Sequence, residues 1–268
     1  METLLLIIAG LAGGFIAGLI GIGGGTIYVF VIPLFLHSIG VPHQEIAQYT
    51  IANSIASIFV ASATANISLI KMKFFFLKPV LIAGGTACLS SLLLLKYLVN
   101  TSIYSVKLFN IVLILLLTYM LIFTLLNARK EYKNSVENLS SGKLAFTGLC
   151  SGVVASVSGL GGGIIVIPML NSIFKINIKA AGSVSSGVIM ISSAIMTVYN
   201  MYDVPESKFH YYSIGYIIFP IVFALSAGVV IASPQGVKLA HKLPSKTISY
   251  IYAVILLLII TKKITELA

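Results

Sequence analysis

Residues Gly18–Pro33 read GLIGIGGGTIYVFVIP, and Ser156–Pro168 read SVSGLGGGIIVIP. Each stretch sets three consecutive glycines in strongly apolar surroundings and puts a proline shortly after. Glycine and proline are the two least favourable residues in a helix interior. A chain that interrupts two apolar runs in the same way, about half its length apart, uses the interruption for something.

The surroundings are those of a bilayer. Of 268 residues, 58% are hydrophobic and 9% charged, and the mean hydropathy is +1.06. Soluble domains carry about 25% charged residues, so this apolar surface needs lipid as its solvent. The net charge of +10 does not indicate nucleic acid. The basic residues are scattered through short links rather than gathered on one face or interleaved with aromatics, as cytoplasmic loops of membrane proteins require. The N-terminus, METLLLIIAGLAGGFIAGLI, has no basic residue before its apolar run and no clear cleavage site. It is expected to remain as a membrane helix.

Apolar segments are expected at about 3–20, 26–36, 46–69, 79–99 and 106–127, then at 144–158, 163–174, 180–201, 211–232 and 247–261. The polar stretch NARKEYKNSVENLSSGK, Asn127–Lys143, separates the two sets. Order matches as well as number. GIGGG at 21–25 faces GLGGG at 159–163, and Pro33 faces Pro168. IAQYTIANSIASIFV from Ile46 faces KAAGSVSSGVIMISS from Lys179, and KMKFFFLK at 71–78 faces SKFHYYS at 207–213. The chain therefore reads as an internal duplication, with one repeat in 1–127, a linker at 128–143 and a second repeat in 144–268. The proline follows its triplet by eight positions in the first copy and five in the second, a difference of nearly one helical turn.

Parity sets the expected architecture, an all-α polytopic membrane protein. Each repeat crosses an odd number of times, whether its first two segments cross separately or fold back as a re-entrant hairpin. One continuous helix over 4–36 would be about 50 Å long, too long for a hydrocarbon core of about 30 Å. An odd count inverts the second repeat relative to the first, a plan found in secondary transporters. Links after segments 3, 5, 7 and 9 hold twelve Lys and Arg residues, against five on the other side, Lys96, Lys107, Lys208, Lys262 and Lys263. The richer side is cytoplasmic by the positive-inside rule, which places the linker inside and both termini outside the inner membrane.

Broken backbone at membrane depth is tolerated where protein buries it or where it lines a polar cavity. A glycine triplet ends one half-helix and starts another, whose free amides and positive dipole end suit an anion. The candidate contacts are Gly23, Gly24, Gly25 and Thr26 in the first copy, and Ser158, Gly161, Gly162 and Gly163 in the second. The third segments add hydroxyls and amides at helical spacing, of which Thr50, Asn53, Ser183 and Ser186 are expected to bind substrate; the others pack helices together. Simple small-residue packing is the alternative use of the glycines.

No acid lies deep in an apolar run: Glu2, Glu45, Glu131, Glu137, Asp203, Glu206 and Glu266 fall at ends or in links, as do His37, His43, His210 and His241. A membrane carboxylate relay is therefore unsupported. Lys96, near the end of the fourth segment, is expected to snorkel. No G-K-[ST] follows GIGGG, so the phosphate loop of an ATP-driven pump is absent, and no cofactor, metal site or enzymatic nucleophile–base pair is expected. Cys88 and Cys150 read as small core residues; a thiol–disulfide electron carrier built on them is the competing reading, and a passive anion channel is another. The partners expected are a small anion and the bilayer; a homo-oligomer is left open.

The duplicated pattern resembles the TauE/SafE family of membrane anion permeases. GIGGG, Pro33 and AQYTIANS carry the likeness in the first half, and GLGGG, Pro168 and AAGSVSSG in the second. That resemblance implies a permease or exporter of sulfite, sulfonates or other organic anions, working by alternating access with its site between the repeats.

Overall fold

The computed structural model describes residues 2–101, 104–127, 134–205 and 212–244, with isolated positions between 246 and 261. About half of the expected segment at 247–261 lies outside the described residues. So do Arg129, Lys130, Glu131, Lys133, Glu206, Lys208, His210, Lys262, Lys263 and Glu266.

Helices dominate. They are α1 (Glu2–Ile20), α2 (Gly25–Ser38), α3 (Ile46–Lys71), α4 (Leu77–Leu94, continuing as a π-turn to Val99) and α5 (Val106–Asn127). After the connector come α6 (Ser141–Ser158), α7 (Gly163–Pro168, continuing as a π-turn to Ile173) and α8 (Ile178–Tyr202). A hairpin of β1 (Ser213–Ile214) and β2 (Ile217–Ile218) then leads into α9 (Phe219–Lys242). Among the described residues six helices, α1, α3, α4, α5, α8 and α9, are long and apolar enough to cross a bilayer, and α2 and the α7 stretch are shorter apolar helices. The chain is a multi-pass membrane protein. The extra residues before Pro33 appear as extra helix, Gly25–Ser38 against Gly163–Ile173.

The ninth segment departs from expectation. Residues 213–218 form a hairpin because Gly215 takes the left-handed φ of 56°, and the helix begins only where Pro220 suits a first turn. It then runs past 232 to Lys242, so Lys238, His241 and Lys242 are helical rather than in a link. Pro234 does not stop it, because packing overrides propensity: Ser233 Oγ donates to the Ala61 carbonyl at 3.0 Å, and Gly236 lies against Phe15 and Leu19.

Glycine stripes fix the long helices. A Cβ on Gly10, Gly14 or Gly18 of α1 would run into Leu225, Val229 or Ser233 of α9. The numbers rise together, so α1 and α9 run parallel. In the same manner Gly148 and Gly152 of α6 lie against Ala83 and Ala87 of α4. Small residues let membrane helices approach to backbone contact. The short helices double back: Ile32 and Leu36 of α2 share a cluster with Leu6 and Ala9 of α1, and Leu170, just after α7, shares one with Leu144 of α6. The 213–218 hairpin caps one end of the molecule with Val41 and Ile46. Val136 of the connector packs with Val80 and Ile176 at the other. These ends are called the hairpin side and the connector side.

Candidate functional site

Both glycine motifs break their helices. α1 stops at Ile20 and α2 starts at Gly25; α6 stops at Ser158 and α7 starts at Gly163. Gly24, at φ 66°, is held where a Cβ would strike the Gly13 carbonyl, which explains why the break is made of glycine. The two breaks meet in the interior. A Cβ on Gly25 would lie 2.8 Å from the Leu160 Cα, and one on Gly163 2.9 Å from the Ile22 Cα. Reciprocal hydroxyls secure the junction: Ser54 Oγ donates to the Gly159 carbonyl at 2.6 Å, and Ser185 Oγ to the Gly21 carbonyl at 2.7 Å.

On the connector side a cavity reaches the first break. It offers about 90 Å³ to the centre of a water-sized sphere, where a single water needs about 10–15 Å³, so a small polyatomic solute fits. Gly21 and Ile22 form part of its wall, with Lys179, Ser183, Ser186 and His241. Lys179 Nζ donates to the His241 carbonyl at 3.1 Å. Among the described residues it has no carboxylate partner, which leaves its charge to attract an anion. No group of three or more His, Cys, Asp or Glu that could hold a metal occurs among the described residues, and both thiols are free.

The cavity thus brings a lysine and hydroxyls to a broken membrane helix. The model of the sulfite exporter TauE/SafE family matches residues 6–262. The chain belongs to this family. Similar proteins include one from Methanocaldococcus jannaschii, 26% identical, with 90% of this chain and 88% of the relative covered. One from Haemophilus influenzae is 26% identical with 96% of each covered, and YunE of Bacillus subtilis is 26% identical with 97% and 96% covered. Each bears the name probable membrane transporter protein.

In this TauE/SafE protein the expected contact residues fall into four groups. Ser183 and Ser186 line the cavity. Gly23, Gly24, Gly25, Gly161, Gly162 and Gly163 form the buried junction: Gly23 and Gly161 both face Ile58 and Ile189, and Gly162 lies against Ser151. Thr26 and Thr50 are buried with their Oγ1 atoms unpaired. Asn53 and Ser158 have structural engagements. Asn53 Nδ2 donates to the Tyr49 and Tyr216 carbonyls at 2.8 and 2.9 Å, and Oδ1 accepts from the Ile218 amide at 2.8 Å. Ser158 Oγ donates to the Val154 carbonyl at 2.6 Å and accepts from the Leu160 amide at 3.2 Å, closing α6. Sequence reasoning missed Lys179 and His241 as cavity residues. Lys179 had a signal: it precedes Ser183 by four positions and Ser186 by seven, on one helix face.

Proposed function

We propose that the protein is a secondary transporter of a small anion, a sulfur oxyanion, organosulfonate or related organic anion, working by alternating access between two inverted-topology repeats. The observation that carries this reading is the cavity that ends at the Gly21–Ile22 break beside Ser183 and Ser186, with the Lys179 ammonium in its wall. The Ser186 hydroxyl and the Lys179 ammonium can donate to an oxyanion, and one fixed cation supplies attraction without neutralising the path.

Antiparallel pairing of α3 and α8 supports the inversion. Asn66, near the end of α3, donates to the Ser186 carbonyl near the start of α8 at 3.0 Å. At the far end, Asn53 of α3 and Asn200 of α8 both bond Tyr216. The doubling back of α2 on α1 and of α7 on α6 supports re-entrant hairpins, three full crossings per repeat, and the boundaries 1–127, 128–143 and 144–268. The connector side is then cytoplasmic, and both termini lie outside the inner membrane.

A thermal-shift panel on purified protein tests the substrate class, with sulfite, thiosulfate, sulfate, taurine, sulfoacetate and simple carboxylates. One anion class raises Tm by mass action, and Lys179→Gln weakens that binding on the order of tenfold. No shift from any of these anions, or an unchanged affinity in Lys179→Gln, would sink the assignment. Accumulation against a gradient in vesicles separates carrier from passive channel.

A further inference from the structure

The segments ahead of α4 and α9 are built alike. In 72–76, Lys73 takes φ 55°, and the Phe74 amide returns to the Leu69 carbonyl at 2.9 Å. In 212–218, Gly215 takes φ 56°, and the Tyr216 amide returns to the Asn200 carbonyl at 2.9 Å. Each turn offers the carbonyl of its aromatic residue to a third helix from the other half of the chain. Ser183 Oγ on α8 donates to the Phe74 carbonyl at 2.6 Å, and Asn53 Nδ2 on α3 donates to the Tyr216 carbonyl at 2.9 Å. One contact lies on the connector side and the other on the hairpin side. This likeness is hidden in the sequence strings. Of SKFHYYS at 207–213, which the sequence sets against KMKFFFLK, only Tyr212 and Ser213 lie among the described residues, and the turn that resembles 72–76 is 212–218.

The two straps are held unequally. Asn53 makes two hydrogen bonds to its strap, to the Tyr216 carbonyl and from the Ile218 amide. Tyr49 adds an edge-to-face contact with Tyr216, centroids 5.1 Å apart. Tyr216, Ile217 and Ile218 are buried. Ser183 makes one hydrogen bond to its strap, where Phe74, Phe75 and Phe76 stay half-buried. Phe74 sets its edge against His241 at 5.0 Å, so Ser183 and His241 touch this strap while lining the cavity.

We infer that the two straps are the gates of the transport path. Segment 212–218 closes the hairpin side with Asn53 as its latch, and 72–76 closes the connector side with Ser183 as its latch. This rests on the transporter reading above. The gates are mechanically joined. α3 carries the Asn53 latch and ends in the 72–76 strap; α8 carries the Ser183 latch and leads to the 212–218 strap. A shift of α3 against α8 is therefore felt at both ends, which is what opening one side while closing the other demands. The heavier latch holds the hairpin side shut, and the cavity is found on the connector side.

Thiol accessibility tests the gates without any substrate. In a Cys88→Ala, Cys150→Ala background, Ser57→Cys reports whether the packed interior below the 212–218 strap opens. Ser57 is fully buried one helical turn below Asn53, donating to its carbonyl at 2.9 Å. Ser186→Cys reports the cavity. Vesicles of both orientations are treated with a membrane-impermeant thiol reagent. With both latches intact, Ser186→Cys reacts slowly from the connector side, behind a strap held by a single bond, and Ser57→Cys is silent. Adding Asn53→Ala makes Ser57→Cys react from the hairpin side at least about tenfold faster and slows Ser186→Cys. Adding Ser183→Ala instead speeds Ser186→Cys and leaves Ser57→Cys silent. Continued silence of Ser57→Cys in Asn53→Ala, or acceleration of both reporters together in it, overturns the inference. Should Asn53→Ala fail to accumulate, Asn53→Ser copies the Ser183 latch; partial exposure of Ser57→Cys is then expected, and silence overturns it. The predicted labelling pattern in a protein that binds none of the panel anions would refute the anion reading and leave the gates standing.

Discussion

On the inverted repeats proposed above, the connector-side cavity and the hairpin-side positions that make matching contacts carry different side chains. Contacts set the equivalence. Ser54 and Ser185 take the carbonyls of Gly159 and Gly21, and Ile58 and Ile189 pack on both glycine motifs. Ile55 therefore corresponds to Ser186, Ile51 to Gly182 and Gln48 to Lys179. By the pairing of Ala87 and Val229 against Gly152 and Gly14, Val99 corresponds to His241. Lys179, Gly182, Ser186 and His241 border open space. Ile51, Ile55 and Val99 pack solidly with Leu95, Tyr104 and Phe109. On that proposed frame, a handful of side chains decides which side holds a cavity.

Four substitutions break or sharpen that comparison. The largest effect is expected from Ile55→Ser, which empties a close-packed site and buries a hydroxyl. It should cost about 2–5 kcal/mol and lower Tm in detergent by roughly 5–15 °C. A loss under a degree or two would mean the hairpin-side cluster is not packed as described. The reverse exchange, Ser186→Ile, fills space that is open. Its Tm without ligand should fall well short of the Ile55→Ser loss, while the rise produced by the binding anion disappears; retention of that rise would move the site out of the cavity. The smallest effect tests the junction. Ser54→Ala and Ser185→Ala each remove one buried hydrogen bond and should each cost about 1 kcal/mol. Clearly unequal melting temperatures would break the reciprocity of the two motifs.

Much of this frame is legible in the sequence because glycine and proline act locally. Three adjacent glycines in an apolar run interrupt a helix whatever lies around them, and both breaks and most helix bounds follow. Register is not local. IAQYTIANS and KAAGSVSSG align by eye from Ile46 and Lys179, yet contacts set Gln48 opposite Lys179, because packing at Ile58 and Ile189 decides the match. Asn53 looked like a substrate ligand for its type and position, but its amide is engaged by a hairpin more than 160 residues away. The cavity was equally hidden: its wall joins α1, α8 and α9, and whether space remains between them depends on side-chain volumes that no single stretch records.

The glycine stripe of α1 has a consequence for biogenesis. Its partner surface on α9, from Leu225 onward, leaves the ribosome some 215 residues after Gly10. At about 5–20 residues per second the first helix waits on the order of 10–40 s with its groove facing lipid. α6 meets the already inserted α4 much sooner. Among the described helices, the α1–α9 pairing therefore closes long after the α4–α6 pairing, and the glycine groove of α1 stays unfilled until α9 is inserted.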